Sequence, residues 1–187
     1  MSVDYAKMLL SDWRIGSVTP SSPQLVDRMV KWADAENAHT IIEYGPAAGV
    51  ITHGLLAAMP SASRLFAIEF NRPFFEQLRK EITDPRLRPI CGNALYVDKM
   101  MRMNGVQSVD CVVSGLPFSI FSDKERDGIM EKTANLLGSE GHFVGFCYSL
   151  DLHRTLKRFY RNVGHDLVVR NWPPAFVCVA SDPFRWV

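Results

Sequence analysis

The chain has 187 residues, of which 47% are hydrophobic and 22% charged, and its formal net charge is +1. This length and composition predict one globular domain spanning residues 1–187. Proteins that track a nucleic-acid backbone usually carry a basic excess, so the near-neutral charge disfavours nucleic acid as a partner. No apolar run reaches the roughly 18 residues of a membrane-spanning helix, and we expect a cytoplasmic protein.

Cysteine and histidine are spread along the chain rather than clustered. The cysteines Cys91, Cys111, Cys147 and Cys178 include no CxxC pair, and the last three lie in apolar runs. The histidines show no HExxH or other metal-ligand spacing. We therefore expect reduced, mostly buried cysteines and no metal site.

Residues 1–22 are expected to form a short helix followed by a loop. The apolar side chains on one side of that helix are Val3, Ala6, Leu9, Leu10 and Trp13. The helix either packs on the domain or lies on lipid, with Trp13 at headgroup depth and Lys7 and Arg14 facing phosphates. For the next helix, Ser21 or Ser22 is a good N-cap and Pro23 a good first residue.

From residue 40 onward, strand and helix patterns alternate. Strand candidates span 40–45, 64–69, 87–91, 109–114, 142–148, 165–170 and 175–180, and helix candidates span 49–58, 72–83, 94–103, 122–137 and 151–161. Successive strand–helix units predict an α/β fold, a mostly parallel sheet with helices on both faces. Only NWPPA joins the last two strands, which is too short for a crossover helix. They should form an antiparallel C-terminal hairpin at one end of the sheet.

The segment EYGPAAGV follows the first strand and opens a helix. It fails the dinucleotide fingerprint GxGxxG, whose third glycine would be Val50. It fits the methyltransferase pattern acid-x-G-x-G-x-G through Glu43, Gly45 and Gly49, with Ala47 at the middle glycine. Gly45 lets the backbone approach a ligand with no Cβ in the way, and we expect Ala47 to adopt an ordinary, negative φ.

Two further positions fit S-adenosylmethionine as the ligand. Glu69 ends the next strand, 24 residues after Gly45, where a carboxylate accepts both ribose hydroxyls. Asn93 stands where many methyltransferases carry an acid that contacts the adenine amino group, and an amide oxygen accepts the same bond. Glu43 would accept hydrogen bonds around the ammonium group, although each acid taken alone is also compatible with a solvated strand end. The predicted cofactor-binding residues are Glu43, Gly45, Ala47, Gly49, Glu69, Phe70, Asn93, Ala94 and Ser114.

The segment VVSGLPF follows the fourth strand, where amino-methylating enzymes carry Asn/Asp-Pro-Pro-Tyr or Asn-Leu-Pro-Tyr. The first side chain of that motif holds a flat, amide-like nitrogen, and Gly115 has no side chain to do so. An aliphatic amine needs chiefly loss of a proton and alignment with the methyl donor. Gly115 therefore favours an aliphatic amine, held by the backbone carbonyls of Ser114 or Gly115.

Seven segments occur in the order found in bacterial phospholipid N-methyltransferases, which the chain resembles from about residue 11 onward. They are GSVTPSS, EYGPAAG, AIEFN, GNA, VVSGLPF, FCYS and RNWPPA. The resemblance implies a Rossmann-like class I methyltransferase that uses S-adenosylmethionine and releases S-adenosylhomocysteine. It also implies stepwise methylation of phosphatidylethanolamine toward phosphatidylcholine by a monomer attached peripherally to the inner face of the membrane.

Three alternatives stay open beside that function. One is a ribosomal RNA adenine N6-dimethylase, to which phospholipid N-methyltransferases are similar. Another is a methyltransferase for small amines or ornithine lipids, and the last is a cofactor-binding module without activity.

Residues near the acceptor can also be named. Tyr148 would hold the amine or help to move its proton, unless it is a residue of the sheet rim. Arg170 and Asn171 would bind a lipid phosphate, unless Arg170 pairs with an acid. Ser17, Thr19 and Ser21 would close over the cofactor or cap the next helix. The predicted catalytic residues are Tyr148, Ser114 and Gly115, and the predicted substrate-binding residues are Leu116, Pro117, Phe118, Tyr148, Arg170 and Asn171.

Overall fold

Residues 21–184 are described in the computed structural model, and within them seven strands form one sheet. The strands are β1 (Thr40–Tyr44), β2 (Arg64–Glu69), β3 (Leu87–Cys91), β4 (Val109–Ser114), β5 (Leu137–Cys147), β6 (Tyr160–Val168) and β7 (Ala175–Pro183). Their order is β3-β2-β1-β4-β5-β7-β6. Strands β1 to β5 run parallel, and β7 is antiparallel to β5 and β6. The predicted mostly parallel sheet with an antiparallel C-terminal hairpin is confirmed.

Six α-helices alternate with these strands in the described part of the chain. They are α1 (Pro23–Trp32), α2 (Val50–Ala58), α3 (Arg72–Glu81), α4 (Val97–Met103), α5 (Asp123–Leu136) and α6 (Asp151–Leu156), with short 3₁₀ helices at Ala94–Tyr96 and Phe118–Ile120. Ser22 caps α1 by accepting a hydrogen bond from the Leu25 N–H, and Pro23 is its first residue, as the sequence predicts. None of the helices in residues 21–184 has the length and apolar character needed to cross a bilayer.

Helices cover both faces of the sheet. Ile41 and Ile42 are adjacent in β1 and both fully buried, because successive side chains of a strand point to opposite faces. Helices α1, α2 and α3 pack on the face of Ile41, and α4, α5 and α6 pack on the face of Ile42. Each fully buried aliphatic side chain contributes roughly 1.5–3 kcal/mol, so these two apolar layers hold the helices on the sheet.

Some boundaries differ from the sequence prediction. Strand β5 begins at residue 137 rather than 142, β6 spans 160–168 rather than 165–170, and α6 ends at Leu156 rather than 161. The early part of β5 reads GSE, whose residues are partly or largely exposed, so it lacks the apolar run that marks a buried strand. The helix predicted over residues 1–13 lies outside the described residues, as do Ser17 and Thr19 of the predicted lid.

The site is positioned by the strand ends. Because β1 to β5 are parallel, the loops that follow them leave the sheet at one edge, which we call the carboxyl edge. The strand order reverses direction between β1 and β4, so the loops after these two strands separate and leave a crevice. The turn between β6 and β7 lies at the same edge, since Phe176 of β7 pairs with Cys147 at the end of β5.

Candidate functional site

The loop between β1 and α2, residues 45–49, turns through three left-handed positions. The φ angles are +66° at Gly45, +48° at Ala47 and +77° at Gly49. The expectation of an ordinary φ at Ala47 is therefore wrong. Alanine adopts the left-handed region at the middle position of the motif, at a cost of about 1–2 kcal/mol.

Glu69, at the end of β2, holds this loop in place. Its Oε2 accepts a hydrogen bond from the Ala47 N–H at 3.1 Å, and its Oε1 accepts one from the Asn71 N–H at 2.7 Å. Burial raises the pKa of Glu69 above its ordinary value, and the N–H groups of Asn71 and Ala47 offset part of that rise. Since an ionised carboxylate offers about four lone-pair sites, it keeps acceptor capacity for a ligand beside these backbone donors.

Glu43 lies under the same loop, in the interior. Its side chain is 1% exposed, and its Oε2 accepts a hydrogen bond from Thr52 Oγ1 of α2 at 2.7 Å. Burial raises the pKa of Glu43 to about 7; the Thr52 hydrogen bond lowers it, and the negative charge of Glu69 raises it further. This carboxyl therefore changes charge near neutral pH, and a cation bound above it would favour the ionised form.

The loop after β3 adds a third wall to the crevice. The Gly92 N–H donates to the Glu69 carbonyl at 3.0 Å, which places this loop beside the end of β2. The half-buried Asn93 caps the 3₁₀ helix at 94–96 through its Oδ1, which accepts the Leu95 N–H at 2.9 Å. That oxygen keeps a second lone pair for a ligand amino group. Ala94 is buried in the core, whereas the Phe70 side chain is 41% exposed at the carboxyl edge.

The loop after β4 comes into backbone contact with the glycine loop. The Gly115 N–H donates to the Tyr44 carbonyl at 2.9 Å, and a Cβ at position 115 would lie 3.0 Å from the Gly45 carbonyl oxygen. Ser114 is buried, and its Oγ accepts the Leu116 N–H at 3.2 Å. Glycine at 115 is thus what allows the two loops to approach this closely.

An aromatic surface continues from Gly115 toward the end of β5. A Cβ at 115 would lie 3.9 Å from Phe146 Cε1, and the Phe146 ring meets the Tyr148 ring edge-on at 6.0 Å. Tyr148 is 53% exposed. Partial burial raises the pKa of its phenol, which a hydrogen bond with Asn171 partly offsets. The phenol therefore stays protonated near neutral pH, which suits holding an amine better than accepting its proton.

The structure separates the other predicted acceptor residues into three groups. Leu116 and Pro117 lie partly or largely exposed beside the crevice. Phe118 is buried in the core, where its ring packs on Phe121 and Phe143, so its side chain does not reach the surface that an acceptor would approach. Arg170 is exposed.

Asn171 has a structural position in the turn between β6 and β7. It is 4% exposed, its Oδ1 accepts the Ser22 N–H at 3.0 Å, and its Nδ2 donates to the Pro173 carbonyl at 2.7 Å. The amide thus ties this turn to the start of α1. These bonds leave one N–H of the buried amide nitrogen, and binding of a lipid phosphate by Asn171 stays a prediction.

The fold is shared with solved methyltransferase structures. Precorrin-6y C5,15-methyltransferase from Geobacter metallireducens superposes with a TM-score of 0.67 at 15% identity, covering 84% of this chain and 87% of that one. The N-methyltransferase NodS from Bradyrhizobium japonicum, solved with S-adenosyl-L-homocysteine, gives a TM-score of 0.66 at 11% identity and covers 87% and 89%.

One sequence relative matches this chain over most of its length. The chain is 26% identical over 167 residues to ornithine lipid N-methyltransferase from Singulisphaera acidiphila, covering 86% of this chain and 85% of the relative. Fold and sequence together support a class I S-adenosylmethionine-dependent methyltransferase. The methyltransferase is also 31% identical over 96 residues to ribosomal RNA small subunit methyltransferase A from Alcanivorax borkumensis, but spans only 33% of that relative. No protein-family model matches it.

S-adenosylmethionine is therefore the cofactor of this methyltransferase, and the crevice has the chemistry to hold it. The loop from Gly45 to Gly49 approaches with bare backbone, Glu69 keeps lone pairs for ribose hydroxyls, and Glu43 places a carboxyl beneath the loop. The individual contacts of these residues with the cofactor stay predictions.

Three residues of the site were missed by sequence reasoning. Thr52 hydrogen-bonds Glu43, Asn71 hydrogen-bonds Glu69, and Phe146 lies between Gly115 and Tyr148. Phe146 was within reach of the sequence, because it stands two residues before Tyr148 in the strand predicted over 142–148, where both side chains would point to the same face. Thr52 and Asn71 carry no such signal, since their roles depend on how α2 and α3 begin.

Proposed function

We propose that this methyltransferase transfers methyl groups from S-adenosylmethionine to the primary amine of phosphatidylethanolamine or a related aminolipid. The observation that carries the proposal is Gly115, which has no side chain and packs so closely that a Cβ would lie 3.0 Å from the Gly45 carbonyl oxygen. An adenine amino group is a poor nucleophile that needs a side-chain amide or carboxylate to orient it. An aliphatic amine needs only deprotonation and alignment, which backbone carbonyls and a phenol supply.

The relatives support the same acceptor class. The match to the ornithine lipid N-methyltransferase covers most of both chains, whereas the match to the ribosomal RNA enzyme covers 51% of this chain. Ornithine lipids and phosphatidylethanolamine both present an aliphatic primary amine on a lipid. The net charge of +1 gives little of the cationic surface that binding ribosomal RNA requires.

Each group of residues has a defined task in this reaction. When bound, S-adenosylmethionine supplies an electrophilic methyl group on its sulfonium. The loop from Gly45 to Gly49 and the Glu69 carboxylate hold the donor, and the carbonyls of Ser114 or Gly115 accept a hydrogen bond from the amine. Tyr148 orients the amine through its phenol oxygen. The amine must lose one proton before transfer, and the Tyr148 phenol, which remains protonated, is not the group that accepts it.

The proposal includes where the protein works. An aminolipid acceptor requires contact with a membrane surface, so we propose peripheral attachment to the cytoplasmic face of the membrane by a monomer. Each transfer forms one N–C bond, leaves S-adenosylhomocysteine and releases one proton.

Incubation with radiolabelled S-adenosylmethionine tests the proposal. The acceptors are vesicles that contain phosphatidylethanolamine, vesicles that contain ornithine lipid, free ethanolamine and ribosomal RNA, in separate reactions. We expect label in one or both lipids. Label that appears only in RNA, only in ethanolamine or in none of the four would contradict the function.

A matched pair of acidic variants ties the activity to this crevice. Glu69→Ala removes charge-assisted hydrogen bonds and should lower kcat/KM at least about tenfold. Glu76→Ala removes a carboxylate of α3 that pairs on the surface with Arg72 and Arg79, and should leave the rate within about twofold of the wild type.

A further inference from the structure

The turn between β6 and β7 presents an apolar tip at the carboxyl edge. Trp172 is 77% exposed and Val169 is 67% exposed, and Pro173 and Pro174 are exposed beside them. Met103 is the other large apolar side chain of comparable exposure in residues 21–184, and it lies at the end of α4, near the opposite edge of the sheet. We call Val169, Arg170 and Trp172 the turn tip.

The backbone of this turn is fixed, so the exposure of the tip is built into the fold. Strands β6 and β7 pair up to Val168 and Ala175. Between them, the buried Asn171 accepts the Ser22 N–H and donates to the Pro173 carbonyl. Asn171 is thus anchored in the interior, while its neighbour Trp172 is exposed.

The chemistry of the tip fits the interface of a lipid bilayer. Tryptophan is favoured at headgroup depth, where its ring is buried among acyl chains and its N–H remains hydrated. Arg170 has no hydrogen-bond or ion-pair partner among residues 21–184, and residues 169–174 contain no acid. Its guanidinium is therefore free to pair with a lipid phosphate while its stem lies along apolar groups.

The position of the tip joins it to the acceptor side of the crevice. Phe176, which follows the turn, pairs with Cys147 at the end of β5, and the Asn171 side chain is close enough to the Tyr148 phenol to offset part of the rise in its pKa. The tip therefore lies beside the aromatic surface of Tyr148 and Phe146. A bilayer in contact with Trp172 would lie next to the place where an aminolipid amine has to enter. RNA fits less well as the partner, because a single cation among apolar side chains gives a weak phosphate-binding surface.

We propose that the turn tip docks the protein on the bilayer, with Trp172 and Val169 inserted at headgroup depth and Arg170 on a lipid phosphate. This inference extends the proposed function, since it presents the crevice to the membrane that holds the acceptor. It requires no change in the reaction itself.

Vesicle binding tests the docking without any methylation. The full chain is sedimented with vesicles of phosphatidylcholine and phosphatidylglycerol, which contain no acceptor amine. Val169→Ala/Trp172→Ala should weaken binding about tenfold or more, because two apolar side chains leave the interface. Met103→Ala, a matched exposed apolar residue far from the tip, should bind as the wild type does. Equal binding by all three proteins overturns the proposal.

Arg170→Gln separates the phosphate contact from insertion. It should weaken binding to vesicles rich in phosphatidylglycerol and reduce the dependence of that binding on salt, since one fewer cation meets the anionic surface. A loss of single-stranded RNA binding in Val169→Ala/Trp172→Ala, with vesicle binding unchanged, would assign the tip to nucleic acid and overturn the proposal.

Activity on two forms of acceptor distinguishes this inference from the proposed function. With a short-chain aminolipid kept monomeric in solution, Val169→Ala/Trp172→Ala should retain the wild-type kcat/KM. With an aminolipid of the same headgroup in vesicles, the kcat/KM of this variant should fall about tenfold. If no aminolipid is methylated but vesicle binding still depends on Trp172, the function fails and the docking stands. An equal fall in kcat/KM with the monomeric and the vesicular acceptor overturns the docking and leaves the proposed function in place.

Discussion

Ala47 illustrates, at the scale of single residues, how a small change in the glycine loop is accommodated. With φ at +48° it adopts a conformation that costs an L-residue about 1–2 kcal/mol and costs glycine almost nothing. Its N–H still donates to Glu69 at 3.1 Å. The loop is therefore left-handed at Gly45, Ala47 and Gly49 alike, and only the alanine pays a conformational cost.

Ala47→Gly should stabilise the protein. Relief of the left-handed conformation outweighs the extra chain entropy of glycine, so we expect the free energy of unfolding to rise by about 0.5–1 kcal/mol. Ala48→Gly is the control, because Ala48 is exposed like Ala47 but its φ is not positive. It should lower the free energy by about 0.5 kcal/mol. Urea unfolding measures both, and a loss of stability in Ala47→Gly would show that the loop is not left-handed at that residue.

Spacing alone was enough to place several residues of the site. Glu43, Gly45 and Glu69 were predicted from the sequence because each stands at or just beyond the end of a parallel strand, where loops converge. The positive φ of Ala47 and the Thr52 hydrogen bond to Glu43 were not predictable, since both depend on the path of the loop in three dimensions. The inward position of Phe118 was missed because an aromatic after Leu-Pro was interpreted by its motif rather than by its neighbours.

At the scale of elements, the loops after β1 and β4 act as one unit because Gly115 lets their backbones touch. The Gly45 carbonyl would lie 3.0 Å from a Cβ at 115, and backbone on both sides has little freedom to move away. The cofactor loop and the acceptor loop are therefore coupled through this contact. A substitution in the acceptor loop should therefore change the binding of the cofactor.

Gly115→Ala should consequently weaken S-adenosylmethionine binding, although residue 115 is expected to contact the acceptor. We expect a dissociation constant about tenfold higher and a comparable fall in kcat/KM, since the Gly45 loop must shift by a few tenths of an ångström. Calorimetric titration with the cofactor measures it. Gly138→Ala in β5 is the control, because its nearest neighbour, the Val109 carbonyl oxygen, would lie 3.7 Å from the new Cβ. Wild-type affinity in Gly115→Ala would mean that the two loops do not touch in solution.

Element boundaries were least predictable where strands are polar. Strand β6 reads YRNVGHDLV and has no regular alternation of buried and exposed residues, so only its apolar end was identified as a strand. The predicted helix over 151–161 was too long by five residues. Arg158 lies beyond the end of α6 and pairs with Asp127, and Tyr160 is already the first residue of β6.

At the scale of the whole molecule, the positions of β7 and β6 in the sheet follow from the difference in polarity between these two strands. The hairpin of β6 and β7 was predicted, but which of its strands lies next to β5 was not. Strand β7 carries the buried Val177, Cys178 and Ala180, as a strand covered on both faces should. Strand β6 carries Arg161, Asn162 and Asp166 and forms the edge, where charged side chains discourage pairing with another chain. The polarity of the two strands was therefore a signal in the sequence for the order β5-β7-β6.

Glu43 links the site to the stability of the whole protein through pH. Burial raises its pKa from 4.5 to about 7, so the folded state binds this proton more tightly than the unfolded state does. Below about pH 4.5 both states are protonated and the group has no effect. As pH rises toward 7 the unfolded state ionises first, and the free energy of unfolding falls by a total on the order of 3 kcal/mol.

Glu43→Gln should remove this dependence. Glutamine stays neutral at every pH and its oxygen can still accept the hydrogen bond from Thr52 Oγ1. Urea unfolding at pH 5 and pH 8 compares the two proteins. We expect a small difference in stability at pH 5, where Glu43 is protonated in the folded state and the unfolded state has only begun to ionise, and a clearly more stable variant at pH 8, because the wild type then carries a buried charge. Glu69, whose pKa is also raised by burial, contributes a slope of the same sign to both proteins and cancels in the difference. Parallel pH profiles for wild type and variant would show that Glu43 is ionised in the folded protein throughout this range, and that its charge is compensated by a partner other than Thr52.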